Sequence, residues 1–250
     1  MTAALIPPRG YEHTALESNI HLVLPLKSLT SNLEYLATYV AARKRGDYII
    51  LDNGCAEGQL VDGRTLLDFA RVIGAHEIVA PDVMGEPGPT LEATRNFLEG
   101  NDEAADYNIM AVLQGSTHDE RAYLLKTFAR ISAITAIGIP KVLSTHQGCT
   151  TRHEIVEFIT KKYPDRFDIH LLGLNGAFPN EILQIAFGNK VRSMDSAQPY
   201  KLAQAGKMMA PSVAWAPRSD TYFTHKKGVD PRTLAWNIQV FKDWAALHEG

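Results

Sequence analysis

The sequence predicts a single-domain α/β protein of the (β/α)8 barrel type. Three observations predict it: short apolar runs rich in β-branched residues, longer stretches of helical period between them, and a spacing of about 20 to 35 residues between successive runs. Strands that alternate with helices form a parallel sheet. A chain of 250 residues fits a closed barrel better than an open doubly wound sheet.

Seven runs are expected to be strands. In chain order they are HLVLPL at 21–26, YIIL at 48–51, EIVA at 77–80, IMAVL at 109–113, AITAI at 133–137, IHLL at 169–172 and KVRSM at 190–194. The eighth strand is unclear in the sequence, and residues 213–216 are a weak candidate for it.

Each expected strand is followed by a stretch of helical period. These helices are expected at 32–45, 64–73, 90–99, 119–130, 153–163, 179–187 and 200–205. A final amphipathic helix is expected at 231–248, because Pro231 suits a first helical position and Leu234, Ile238, Phe241 and Trp244 form an apolar stripe. No repeat or linker interrupts the pattern, so residues 1–250 are expected to form one domain.

Composition and charge exclude several classes of protein. With 25 basic and 28 acidic residues the net charge is -3, so any nucleic-acid contact must come from a local basic patch. The two cysteines, Cys55 and Cys149, and a start without a basic and apolar leader argue against a secreted disulfide scaffold. The apolar runs are far shorter than the roughly 20 residues that a membrane span needs. We therefore expect a soluble, cytoplasmic protein.

Polar residues and glycines stand where the expected strands end. These positions are Asp52, Asp82, Gln114 and Asp195, together with Gly138 and Gly173. The carboxyl ends of parallel barrel strands meet at one mouth, so these groups are expected to surround one pocket for a small, flat, hydrogen-bonding ligand. A single Asp after a strand has an alternative role, because it can cap the next helix or form an Asx turn.

Six short segments carry a resemblance to a known family. They are DNG at 52–54, APDVM at 80–84, VLQGS at 112–116, GIP at 138–140, LLGL at 171–174 and MDSAQP at 194–199. Their order and spacing resemble the tRNA-guanine transglycosylase superfamily, and within it the short 7-deazaguanine DNA transglycosylases of phages and bacteria. The resemblance runs from about residue 47 to residue 199.

The resemblance implies an enzyme that exchanges guanine in a polynucleotide for a 7-deazaguanine base, without a cofactor, in a bacterial or phage-infected cytoplasm. Asp195 matches the nucleophile, which forms a covalent glycosyl intermediate, and Asp52 matches the general acid/base. The remaining matched positions are substrate-binding: Asp82 and Gln114 read the base, backbone beside Gly115 and Gly138 approaches its ring, and Gly173 lies in the pocket. Leu172 is not matched to the family, but its position lets it supply an apolar wall in place of the family's aromatic residue.

Two departures from the family bear on the polymer. The tRNA enzymes carry a zinc subdomain with three cysteines and a histidine, whereas this chain has no CxxC and no cysteine beyond Cys149. They also continue from the nucleophile into a Pro-Thr-Arg segment, whereas Pro199 is followed here by Tyr200 and Lys201. Both departures favour DNA over tRNA as the polymer. After the first motif, Cys55 and Ala56 stand where the family often has a glycine and an aromatic residue.

Two further patterns concern metal and nucleic acid. His146, Cys149 and His153 form an HxxCxxxH array, but a fourth ligand is not evident and no metal is expected. Arg218, Lys226 and Lys227, in a loop-like stretch with Tyr222 and Phe223, are the expected nucleic-acid contacts.

The expected partners are DNA, or tRNA, and a free 7-deazaguanine base, with no membrane; a second copy of the chain in a homodimer is a further candidate partner. Three alternatives stay open: the same exchange on tRNA, a catalytically idle barrel that binds a purine or serves as an accessory subunit, and a barrel lyase or hydrolase of unrelated chemistry.

Overall fold

The computed structural model describes residues 1–25, 32–58, 61–141, 151–174, 191–213, 222–223 and 228–247. Its strands are β1 (Thr2–Leu5), β2 (Ile20–Val23), β3 (Tyr48–Leu51), β4 (Glu77–Val79), β5 (Asn108–Val112), β6 (Ile134–Pro140), β7 (Asp168–Leu172) and β8 (Ser193–Ser196). Its α-helices are α1 (Leu33–Arg45), α2 (Gly63–Ile73), α3 (Pro87–Glu99), α4 (His118–Phe128), α5 (Arg152–Lys162), α6 (Gln198–Gln204) and α7 (Pro231–Ala246). Three short 3-10 helices cover Glu12–Glu17, Cys55–Glu57 and Asp102–Asp106.

The eight strands form one parallel sheet that is nearly closed into a barrel. The strand order is β1-β8-β7-β6-β5-β4-β3-β2, and every paired neighbour is parallel. The two end strands of this order, β1 and β2, also lie beside each other. The expected (β/α)8 fold is therefore confirmed.

The eighth strand comes from the beginning of the chain, so the weak candidate at 213–216 is replaced by β1. Val213 is not in a strand, and residues 214–216 lie outside the described residues. Within β1, Ala3 pairs with Met194 and Ala4 with Asp195. The segment TAAL has two alanines and little strand propensity. It is a strand because it fills the gap between β8 and β2.

The helices begin where a polar side chain can satisfy free backbone amides. Asn32, Asp62, Thr117, Thr151 and Asp230 each accept a hydrogen bond from the backbone N–H three residues later. Helix α3 begins at residue 87, earlier than expected, because proline is tolerated in the first helical turn. The expected helix at 179–187 lies outside the described residues. None of the described helices is long and apolar enough to span a membrane.

Charged residues close the end of the barrel at which the strands begin. Arg192, before β8, donates to both carboxylate oxygens of Glu77 in β4, at 2.7 and 2.8 Å. The Tyr48 hydroxyl donates to Glu77 at 2.9 Å and accepts from the Asn108 side chain at 3.0 Å. Because β4 and β8 are on opposite sides of the barrel, this ion pair spans its interior. We call Tyr48, Glu77, Asn108 and Arg192 the barrel floor.

Candidate active site

The opposite end of the barrel collects the polar residues expected there. Asp52 directly follows β3, Asp82 and Gln114 follow β4 and β5, and Asp195 lies within β8, one residue deeper than expected. All four side chains are buried. Asp52 and Asp195 interact electrostatically although β1 and β2 separate their strands in the sheet. Both therefore project into the barrel interior. We call Asp52, Asp82 and Asp195 the mouth carboxylates.

One oxygen of Asp195 is held by two nitrogen atoms. The backbone N–H of Gly173 donates to Oδ1 at 2.7 Å, and Nε2 of His170 lies 3.2 Å from the same oxygen. Within the described residues, no donor contacts Oδ2. Gly173 has a φ of +64°, a conformation that glycine adopts without strain. The buried Arg152 donates to the Gly173 carbonyl at 2.7 Å, and this hydrogen bond holds the turn in which the Gly173 N–H points at Asp195.

The Asp52 carboxyl group is buried close to other acidic side chains. Its Oδ1 accepts from the backbone N–H of Asn53 at 2.9 Å. Burial raises the pKa of the Asp52 carboxyl well above its usual value, and the carboxylates of Glu57 and Asp195 raise it further. Asp52 thus keeps its proton at a pH at which an exposed aspartate has lost it.

Asp82 is the centre of a hydrogen-bond network. Its Oδ1 accepts from the Asn53 side chain at 2.7 Å and its Oδ2 from Nε2 of Gln114. The Gln114 Oε1 accepts from the backbone N–H of Gly85 at 2.9 Å, which fixes the carboxamide orientation. Burial raises the pKa of Asp82, although these donors oppose the shift. The Cys55 thiol also bonds to Asp82, and burial raises the pKa of that thiol to about 12, so it stays protonated.

Glycine at 138 makes room for a side chain. Gly138 lies inside β6, which is longer than expected, and a Cβ there would lie 2.7 Å from Leu172 Cδ1 and 2.9 Å from Met110 Sδ. The apolar wall expected from Leu172 therefore depends on Gly138.

At Gly115, the carbonyl accepts from the Arg121 guanidinium at 3.1 Å. Arg121 in α4 and Arg152 in α5 thus each hold the carbonyl of a glycine beside the mouth.

Three residues of the site were not expected from the sequence: Asn53, Glu57 and His170. Asn53 belongs to the DNG segment, and its side-chain amide joins Asp82 to the carbonyl of Ala80. His170 is fully buried and lies two residues before Leu172 in β7, so both share a strand face. This alternation is a sequence signal that could have located His170. Glu57 carried no comparable signal.

The nucleic-acid contacts expected at Arg218, Lys226 and Lys227 lie outside the described residues. Of their aromatic neighbours, Tyr222 is buried and donates to the Ile6 carbonyl at 2.6 Å, so its ring is not available to stack on a base.

Of the HxxCxxxH array, only His153 belongs to the part of the chain that the structure describes. In that part, no group of three or more His, Cys, Asp or Glu side chains is arranged to hold a metal ion.

Comparison with known proteins does not assign the chain to a family. No protein-family model matches it, and no curated protein sequence matches it. The geometry of the mouth therefore carries the functional argument.

Proposed function

We propose that this protein is a base-exchange transglycosylase that replaces guanine in DNA with a 7-deazaguanine derivative. The observation that carries the proposal is the pairing of two unlike carboxyl groups at one mouth. Burial raises the pKa of Asp52, while Oδ1 of Asp195 accepts from the Gly173 N–H and lies 3.2 Å from Nε2 of His170, which leaves Oδ2 of Asp195 without a donor among the described residues. Exchange at a glycosidic carbon needs two groups: an acid that protonates the departing base and a carboxylate that attacks the sugar carbon.

In the first step, Asp195 attacks C1' of the target nucleotide. An Oδ2–C1' bond forms, the C1'–N9 bond to guanine breaks, and the electron pair of that bond leaves with the base. Asp52 donates its proton to the departing guanine and becomes a carboxylate. The product is a covalent glycosyl enzyme.

In the second step, a 7-deazaguanine occupies the place of guanine. The Asp52 carboxylate accepts the proton from N9 of the incoming base, N9 attacks C1', and the Asp195 carboxylate leaves. Both carboxyl groups return to their starting states. Two displacements at one carbon restore the original configuration, as in a retaining glycosidase with a base in place of water.

The Asp82 network supplies base recognition in this proposal. Nε2 of Gln114 has one hydrogen on Asp82 and a second available for O6 of a guanine-like base. Each Asp82 oxygen has further acceptor capacity for the N–H edge of that base. Adenine would leave these buried groups unpaired, so discrimination of several orders of magnitude is expected.

The test is incorporation of labelled guanine into single-stranded DNA, duplex DNA and tRNA by the purified protein, with Asp195→Asn as the inactive control. We expect single-stranded DNA to react faster than duplex, because extruding a base from the stack costs roughly a few kcal/mol. Exchange into tRNA alone would identify tRNA, and not DNA, as the substrate polymer. Exchange into none of the three polymers would refute a transglycosylase.

The polymer path is tested by salt dependence. The expected contacts are few, so DNA binding should weaken only slowly with salt, and more slowly still in a Lys226→Ala/Lys227→Ala double variant. An unchanged slope in the double variant would locate the DNA path elsewhere.

A further inference from the structure

A chain of hydrogen bonds leads from the barrel floor to the mouth. Nε of Arg192 lies 3.4 Å from the Ser193 hydroxyl oxygen, and that oxygen lies 2.7 Å from Nδ1 of His170. Nε2 of His170 lies 3.2 Å from Oδ1 of Asp195. His170 and Ser193 are fully buried, so water does not compete for these bonds.

The donors at the floor set the direction of this chain. A guanidinium can only donate, so the Ser193 oxygen accepts from Arg192 and its own hydrogen is free to point at His170 Nδ1. At the other end, Nε2 faces an Asp195 oxygen that already acts as an acceptor, so in the neutral ring Nε2 carries the hydrogen and Nδ1 accepts from Ser193. This hydrogen points at Oδ1 of Asp195. In this arrangement every member of the chain has a partner of the right kind.

We propose that His170 is a positioning residue for Asp195, held by Ser193 as the Nε2–H tautomer. Together with the Gly173 N–H it fixes Oδ1, so that Oδ2 is the oxygen that attacks C1'. This role rests on the proposed exchange reaction. The two chemical steps do not use the buried imidazole, so this role explains why it lies beside Asp195.

The same contacts act in both steps. When the Oδ2–C1' bond forms, Oδ1 becomes the carbonyl oxygen of the glycosyl ester and keeps its two donors. When N9 of the incoming base displaces the carboxylate, negative charge returns to Oδ1, where two N–H groups already point. Preorganised donors of this kind lower the barrier because they need no reorientation during the reaction.

The tautomer can be tested without any activity. Nitrogen-15 NMR of the imidazole rings, with the His170 signals assigned from a His170→Gln variant, should show a protonated Nε2 and an unprotonated Nδ1. Ser193→Ala removes the donor to Nδ1 and should increase the fraction of the other tautomer. A wild-type protein with the hydrogen on Nδ1 would overturn the proposed chain.

The positioning role is tested by kinetics, with a matched control. His170→Phe removes both ring nitrogens and should lower kcat about a hundredfold, with the affinity for free base unchanged. His170→Gln returns an N–H to the side chain and should recover most of that loss. His21 is the control, because it is also fully buried and bonds to a carboxylate, Asp47, at 2.8 Å on β2. His21→Phe perturbs packing in the same way but should leave kcat of the folded protein unchanged.

The outcomes separate the two proposals. If wild-type protein exchanges guanine and His170→Phe retains its kcat, or if His21→Phe slows exchange as much, His170 has only a structural role. If His170→Gln is as slow as His170→Phe, an N–H toward Asp195 is not what matters. A wild-type protein with no exchange would overturn the proposed function, and the role of His170 with it, even where NMR finds the expected tautomer.

Discussion

The floor and the mouth of the barrel both bury carboxyl groups, but they neutralise them differently. At the floor, Glu77 receives two hydrogen bonds from the Arg192 guanidinium and one from Tyr48. Although burial opposes it, Glu77 raises the pKa of Arg192 above its ordinary value. At the mouth, no lysine or arginine among the described residues forms an ion pair with Asp52, Asp82 or Asp195; their donors are amides, a thiol and an imidazole.

This difference indicates where stability and function lie. A buried carboxylate that meets a guanidinium is compensated in both charge and hydrogen bonds. At the mouth, burial without a lysine or arginine partner among the described residues raises the pKa of Asp52 well above its usual value, and the carboxylates of Glu57, Asp195 and Asp82 raise it further. Groups kept in such an unfavourable state are typical of active sites. The comparison therefore predicts that mouth variants lose chemistry while floor variants lose stability.

The largest effect on exchange is expected for Asp195→Asn. The amide keeps the shape of the side chain but cannot displace a base, so exchange should fall by at least about a thousandfold. Mass spectrometry of the denatured protein with an oligonucleotide should detect the glycosyl adduct in wild type and not in the variant. Affinity for free base should be retained. Substantial exchange by the variant would remove Asp195 from the mechanism.

Asp52→Asn should have the next largest effect, because it removes the group that carries the proton in the proposed reaction. Loss of a general acid typically costs about a hundredfold or more in rate, measured here as kcat for guanine exchange. A variant with wild-type kcat would assign the proton transfers to another group.

The same variant tests the pH dependence of stability. Since the pKa of Asp52 is raised in the folded protein, the folded state binds more protons than the unfolded chain, and stability falls as pH rises from about 4 through the raised pKa. Asp52→Asn removes this pH-dependent loss of stability. At neutral pH the variant should therefore unfold at a higher denaturant concentration than wild type. Near pH 3 the two proteins should unfold at similar denaturant concentrations. A variant less stable than wild type at neutral pH would contradict the electrostatic account.

A smaller, more selective effect is expected for Asp82→Ala. It deprives Asn53 and Gln114 of their shared acceptor, so affinity for free 7-deazaguanine should fall at least about tenfold, while affinity for DNA changes much less. Calorimetry with the free base measures the first effect and a DNA-binding titration the second. Equal base affinity in variant and wild type would make Asp82 a structural residue.

The smallest effect on exchange is expected for Glu77→Ala at the floor. Among the described residues, removal of the acceptor leaves the Arg192 guanidinium with the exposed Asp168 as its charged partner, and the free energy of unfolding should fall by about 3 kcal/mol. Exchange per folded molecule should change by less than about threefold, because Glu77 contacts neither His170 nor the mouth carboxylates and Arg192 can keep its hydrogen bond to Ser193. Denaturant unfolding and active-site titration separate the two quantities. A large loss of kcat with an unchanged free energy of unfolding would show that Glu77 supports the chemistry and not the stability of the fold.

The sequence predicted most of the fold because most of its signals are local. The seven expected strands are present, with boundaries that differ by one to three residues at most of their ends. β1 was missed because four residues with two alanines carry no periodic signal, and their pairing partners lie about 190 residues away in β8. The polar strand ends were found in the sequence because a parallel barrel brings all carboxyl ends of its strands to one face.

The sequence by itself determined which residue types face the mouth, since strand period and strand direction follow from local pattern. Only the tertiary structure decided their chemical state. Burial raises the pKa of Asp52, and the carboxylates of the nearby Glu57 and of Asp195 and Asp82 raise it further; the burial and the last two carboxylates do not appear in its sequence neighbourhood. His170 likewise acquires its partners from β8, at a distance of 23 and 25 residues along the chain. Desolvation and contacts between distant segments exist only after the barrel closes, which is why no local pattern encodes them.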